Sequence, residues 1–298
     1  MKDSRWGGAL LRIGLFLVLA VLFSLGAAGL LAVLGVTFEG RGRLLASSVS
    51  LVATVVVGIV LLRRLDDRRA GALGFALTPA AVRESLLGLG IGVGGLTLAA
   101  ALLLALGKLA FGPDDGTAGA WAIIVIGDFA LLGIAAASEE ALFRGYAFQV
   151  VAQRFGAVAA TVVGSIAFAF AHGANPSVGA FALINIFLAG VLLSVAYLKT
   201  CSLWFATALH LGWNWAMASL FDLPVSGITY FDTPLYEPVV GAPTWLTGGM
   251  FGPEGGMVGT IGFAAALAAV LGWKAVRIDD RMRALRPLTL REGVAVDG

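Results

Sequence analysis

The sequence predicts an all-α polytopic membrane protein, a bundle of about eight transmembrane helices with both termini in the cytoplasm. Three observations carry that prediction. Of 298 residues, 59% are hydrophobic and only 13% are charged, about half the charged share of a soluble domain, and mean hydropathy is +0.94. Apolar runs of about 20 residues, enough to cross roughly 30 Å of hydrocarbon, recur near 9–35, 44–62, 84–110, 121–153, 157–173, 178–198, 201–220 and 257–276. With the N-terminus inside, basic residues from Lys2 and Arg12 through Arg63, Arg64, Arg154 and Lys199 to Arg283 and Arg291 fall on the inner half, against Arg41, Arg43 and Lys108 on the outer. That asymmetry orients an even number of spans.

Taken in order, residues 1–120 hold about three helices. The first starts among basic residues like a signal peptide, but its apolar run is too long for one. The third carries Gly88, Gly90, Gly92, Gly94 and Gly95, a small-residue pattern for close helix packing. Gly90-x-Gly92-x-x-Gly95 also matches a dinucleotide fingerprint, but it has neither the preceding strand nor the helix start that such a loop needs. Residues 121–220 form a helical core that holds both histidines of the chain. Residues 221–256 contain Asp222, Asp232, Glu237 and Glu254 but no Lys or Arg, and they read as an external, ordered or partly re-entrant loop. Residues 257–298 supply a last span and a polar cytoplasmic tail. The single Cys201 forms no internal disulfide and belongs to no thiolate metal site. A formal charge of +2 gives no reason to expect a nucleic-acid partner.

Against this apolar background, Ser138-Glu139-Glu140-Ala141-Leu142-Phe143-Arg144-Gly145 is the stretch with chemistry. Ionised groups inside a bilayer are expensive unless they face a partner or a wet cavity. Glu140 and Arg144 lie one helical turn apart and pair. Glu139 points about 100° away and stays available. Both histidines of the chain, His172 and His210, fall in apolar helical runs, with Phe168 one turn before the first and Asn214 one turn after the second. A hairpin at Arg154-Phe155-Gly156 puts Glu140 and His172 at similar depth, and His210 lies about 15 Å past the Lys199-Thr200 turn on the same side. A carboxylate beside an imidazole takes a proton from water, and His210 with Asn214 can donate to a developing oxyanion. Together they suit acyl transfer to water. Ser138 adjoins Glu139 but points elsewhere on the helix, so it is not read as a nucleophile.

Glu139-Glu140-x-x-x-Arg144, Phe168-x-x-x-His172 and His210-x-x-x-Asn214 resemble, in order, the three signature motifs of the CAAX prenyl endopeptidase and bacteriocin-processing (CPBP, or abortive-infection) family of intramembrane proteases. The resemblance covers about residues 130–220. It implies a glutamate-dependent endopeptidase in which Glu139 and His172 activate water, His210 and Asn214 form the oxyanion hole, and Glu140, Arg144 and Phe168 support them. Such proteins are commonly labelled metalloproteases, although this mechanism requires no cofactor and the chain has no His-Glu-x-x-His segment. Zinc on Glu139, His172 and His210, with water in the fourth position, is the chemical alternative. The implied partners are membrane lipid and a peptide or protein substrate, lipidated or otherwise membrane-associated. The Gly- and Ala-rich composition points to a bacterial inner membrane. The alternative from another class is a proton-coupled transporter or peptide-binding membrane protein using the same Glu, His and Arg as a relay. The two matching halves with interrupted helices that would favour transport are not visible. Among the remaining polar residues, Asp128 lines a water path or makes an interfacial bond, Asn185 joins helices, and Trp213 and Trp215 flank the site.

Overall fold

The computed structural model describes residues 5–35 and 42–290. Lys2, Arg41 and Arg291, used above for orientation, and the tail beyond residue 290 lie outside them. The helices are α1 (Arg5–Val33), α2 (Gly42–Leu65), α3 (Pro79–Ala105), α4 (Ala118–Phe143), α5 (Tyr146–Phe155), α6 (Ala157–Ala171), α7 (Ala180–Thr200), α8 (Leu203–Trp215), α9 (Thr244–Thr247), α10 (Met257–Gly272) and α11 (Asp280–Leu285). Among the described residues, five runs are long and apolar enough to cross a membrane: Gly8–Val33, Ala46–Leu65, Ala80–Ala105, Ala118–Phe155 and Ala180–Thr200. The other three apolar runs of the sequence correspond to the shorter helices α6, α8 and α10. The chain is thus mostly helical, with the character of a multi-pass membrane protein.

Local chemistry sets the boundaries. Pro79 opens α3, where its missing N–H costs nothing. The Thr117 and Ser202 hydroxyls accept from the Ala120 and Phe205 amides at 3.2 and 3.4 Å and start α4 and α8. The apolar run near 121–153, expected as one helix, is two. A Cβ at Gly145 would lie 2.1 Å from the Ala141 carbonyl oxygen, so the tight break between α4 and α5 admits only glycine. The chain then turns at Gly156, with φ of 94°.

The fold is not purely helical. β1 (Leu109–Pro113) pairs antiparallel with β2 (Tyr236–Val240), with Leu109 opposite Val240 and Pro113 opposite Tyr236. Extended segments between helices leave backbone groups without intrahelical partners, and these two satisfy each other. Phe111 and Tyr236 meet edge to face at 5.2 Å.

The core is centred on α8, which α3 approaches closely enough to bring backbones into contact. A Cβ at Gly88 or Gly92 would meet the carbonyl oxygen of Phe205 or Leu209 at 2.4 or 2.1 Å, and one at Gly212 would meet that of Leu89 at 2.4 Å. The predicted small-residue stripe therefore divides: Gly88, Gly92 and Gly95 face the core, whereas a Cβ at Gly90 or Gly94 meets nothing within 4 Å. At the other end of the bundle, Arg12 joins α1 to Tyr146, Gln153 and Asp66. The buried Gln149 carboxamide donates to the carbonyls of Ala72 and Leu73 at 3.0 and 3.1 Å and accepts from the Leu288 amide at 3.0 Å. One side chain thereby fastens the 70–73 turn, α5 and the returning C-terminal segment.

Candidate active site

α4, α6 and α8 bring the motif residues to one place. Glu139 and Glu140 sit in the last turn of α4, His172 caps the C-terminus of α6, and His210 lies in the second half of α8. Arg144 is fully buried. It donates from Nη1 to Glu140 Oε1 at 3.0 Å and from Nη2 to the Gly190 carbonyl at 3.1 Å, so α4 is locked to α7 as well as to its own preceding turn.

Glu140 has a second partner that spacing on one helix could not reveal. Its Oε1 also receives Nδ1 of His210 at 3.0 Å. Since a carboxylate oxygen accepts, His210 Nδ1 carries a proton and Nε2 points the other way. His172 is oriented similarly by a different group: its Nδ1 donates to the Phe168 carbonyl at 2.8 Å, filling an acceptor left over at the helix end. Both rings then turn Nε2 toward Glu139, and each Nε2 is 4.0 Å from Glu139 Oε2. That oxygen is buried without a hydrogen-bond partner.

Phe168 forms the partition of the site. Its ring centroid is 4.6 Å from that of His172 and 6.0 Å from that of His210, and the Arg144 guanidinium carbon lies 4.5 Å from the same centroid. A cation over an aromatic face is attracted by the ring quadrupole, so the ring couples the buried ion pair to the two imidazoles. Asn214 lies one turn beyond His210 and faces the same cavity. Immediately after it, Ala216–Leu220 widens into a π-turn, an irregularity often found at functional sites.

The cavity has a volume of about 360 Å³ and is lined by Glu139, His172, His210 and Asn214. Residues 118–216 match the Rce1-like family. That family is described as type II CAAX prenyl endopeptidase Rce1-like, in agreement with the resemblance of the three motifs, over about a third of the chain. No match among curated proteins is found. A protease family favours the peptidase reading over the transporter. The Rce1-like segment contains every residue of the three motifs.

The far wall of the cavity comes from outside that segment. Glu254, Ser226, Tyr230 and Phe231 of the 221–256 loop and Phe263 of α10 complete the lining. The loop read from sequence as external and partly re-entrant folds into the site. Asn185, expected to join two helices, donates from Nδ2 to the carbonyls of Glu254 and Gly256 at 2.8 and 2.9 Å and accepts from the Thr260 hydroxyl at 2.7 Å. Trp213 stacks on Phe263 at 4.1 Å and donates from Nε1 to Glu254 Oε1 at 3.0 Å. Glu254 was legible only as one acid among several; its flanking Gly252-Pro253 and Gly255-Gly256 were the available sign of a backbone that bends into tight space. The other residues singled out from sequence lie off the cavity. Asp128 accepts from the Ser219 hydroxyl at 3.0 Å, Trp215 donates to the Val125 carbonyl at 3.0 Å, and Ser138 is buried without lining the site. Among the described residues, no group of three or more His, Cys, Asp and Glu is placed to hold a metal ion.

Proposed function

We propose that the chain is an intramembrane, glutamate-dependent endopeptidase that hydrolyses a peptide bond with water activated by Glu139 and His172. The observation that carries this reading is the placement of Glu139 Oε2 at 4.0 Å from Nε2 of both histidines. That spacing exceeds a hydrogen bond and suits one water at ordinary distance from the carboxylate and an imidazole. Glu139 takes a proton from the water as its oxygen attacks the carbonyl carbon, then passes that proton to the leaving amine. His172, fixed as the Nδ1–H tautomer by Phe168, orients the water through Nε2.

His210 and Asn214 would receive the oxyanion. With Nδ1–H committed to Glu140, His210 donates to the oxyanion only from a protonated Nε2, so the ring works as an imidazolium held by a carboxylate. Glu140 therefore keeps His210 charged and aimed, and Arg144, whose own charge opposes that of His210, serves to fix Glu140 in place. Each such donor is worth about 10²- to 10³-fold in rate.

The proposal includes eight membrane crossings with both termini cytoplasmic, the short helices α6, α8 and α10 adding three to the five long spans. It also includes residues 121–220 as the catalytic unit, residence in a bacterial inner membrane, and a membrane-associated or lipidated protein as substrate. It runs without a metal. Zinc on Glu139, His172 and His210 is the rival, and chelation separates the two. The test is cleavage of a membrane-associated peptide library by purified protein, wild type against Glu139→Gln, His172→Ala and Asn214→Ala. Wild-type cleavage that persists in EDTA and falls at least about 100-fold in each variant agrees with the proposal. Undiminished cleavage by Glu139→Gln, or activity lost to EDTA and restored only by zinc, refutes the mechanism.

A further inference from the structure

Glu254 lies on the wall of the same cavity, within electrostatic reach of His172 and His210. It is 4% exposed. Its two hydrogen-bond donors are neutral: Trp213 Nε1 to Oε1 at 3.0 Å and the Ser226 hydroxyl to Oε2 at 2.5 Å. Among the described residues no lysine or arginine lines the cavity or forms an ion pair with Glu254. Arg144, the nearest candidate by motif, is committed to Glu140 and Gly190. Buried carboxylates are ordinarily paired with a cation; among the described residues this one has neither lysine nor arginine against it, and the titratable groups within its electrostatic reach are the imidazoles of His172 and His210.

A carboxylate has about four acceptor positions. Trp213 and Ser226 use two, which leaves roughly two for a ligand. Phe263, Trp213, Tyr230, Phe231 and Ile228 line the same cavity. A largely aromatic lining with a buried carboxylate among it fits a particular shape of guest: a flexible hydrocarbon stem with a cationic head, which lays its methylenes on the rings and its charge on the carboxylate.

Resting on the peptidase reading above, we propose that Glu254 and Ser226 form a specificity pocket for a basic side chain, lysine or arginine, close to the scissile bond of the substrate. The pocket is supplied by the 221–256 loop, outside the Rce1-like segment, so substrate preference and hydrolytic machinery sit on different stretches of chain. Asn185 and Trp213 hold the loop against α7 and α8 and keep the carboxylate in register with Asn214. A lysine or arginine head offers this carboxylate a charged donor; an uncharged side chain of equal length leaves its remaining acceptor positions unfilled.

Two peptide series identical but for lysine or norleucine at each position around the cleaved bond test this with the full-length protein in detergent. A charge-assisted hydrogen bond in a buried site predicts a lysine preference of about 10- to 100-fold in kcat/KM, expressed mainly in KM, at one position. In Glu254→Gln, whose amide still accepts from Trp213, the ratio of lysine- to norleucine-peptide cleavage falls to within about twofold. A wild-type enzyme indifferent to lysine at every position, or a Glu254→Gln enzyme that keeps the preference, overturns the proposal. If the variant does not fold, competition on the wild type decides: butylammonium inhibits norleucine-peptide cleavage where butanol does not, and equal effects refute the pocket. If no peptide is hydrolysed at all, the peptidase reading fails separately, and the pocket is read from equilibrium binding of the same peptides. Lysine-selective binding lost in Glu254→Gln supports the pocket, and equal binding overturns it.

Discussion

Replacing Glu140 by glutamine removes a charge while leaving the shape of the site nearly untouched. Glu140 Oε1 accepts from both Arg144 Nη1 and His210 Nδ1 at 3.0 Å, and the amide oxygen of Glu140→Gln can occupy that position. Glu140 Oε2 is buried without a partner, so the new NH₂ group takes the place of an atom that bonded nothing. What changes is compensation. Arg144, fully buried, loses its counter-ion, and breaking one half of a buried pair costs about 3–5 kcal/mol. At 1.4 kcal/mol per tenfold, that is roughly two to three and a half powers of ten in the folded-to-unfolded ratio. The double substitution Glu140→Gln, Arg144→Met removes the stranded cation, and replacing both members of such a pair by neutral groups is often close to neutral. Thermal unfolding in detergent should therefore rank wild type and double variant near each other and the single variant well below. Cleavage should fall in both, because His210 loses its anionic partner in each. A single variant as stable as wild type, or a double variant no more stable than the single, contradicts the assignment of Glu140 as the charge that holds Arg144.

Gly92→Ala forces a methyl to 2.1 Å from the Leu209 carbonyl and should lower the thermal midpoint and activity together, whereas Gly90→Ala, which meets nothing within 4 Å, should leave both unchanged; equal effects refute the backbone contact of α3 with α8. Burial pushes the Asp222 carboxyl up to about 6, against the lowering effect of the Thr233 amide at 2.9 Å. The folded state then holds a proton that the unfolded chain releases near pH 4, so stability from this group is greatest below about pH 4 and is lost as pH rises through about 6; Asp222→Asn should flatten that slope, and parallel curves argue against it. The Cys201 thiol, fully buried and pushed up to about 11 by burial, should resist maleimide at pH 7.5 until denaturant is added, and rapid labelling of the folded protein contradicts its placement.

How much of this was legible in the sequence depends on how far each contact reaches along the chain. The Glu140–Arg144 pair and the Phe168–His172 stack are one helical turn long, and helical spacing alone gives them. The turn at Gly156 was foreseen; the break at Gly145 was not, because it depends on a carbonyl four residues back approaching too closely for any side chain. His210 on Glu140 spans 70 residues and has no periodic signature. Strands β1 and β2 escaped notice because two five-residue pieces far apart in sequence specify each other only once the helices between them have packed. Trp213 on Glu254 needs a Gly- and Pro-rich loop to return from outside the core, and loops carry no register from which a return can be read. Composition and three short motifs thus reveal the family and the membrane character, and three-dimensional packing supplies the opposite wall.

The carboxamide of Gln149 ties α5 to a stretch of chain 139 residues downstream. Its acceptor is filled by the amide of Leu288, which a ribosome delivers only after every apolar helix has been made. A message stopped between codons 273 and 287 would yield all of α1 to α10 with an unlatched underside, and a bulky fusion placed soon after Leu288 would strain the same fastening. The helix following Glu139 and Glu140 is thus docked in two stages: the Ala72 and Leu73 carbonyls can hold the amide nitrogen of Gln149 early, and its oxygen waits for Leu288.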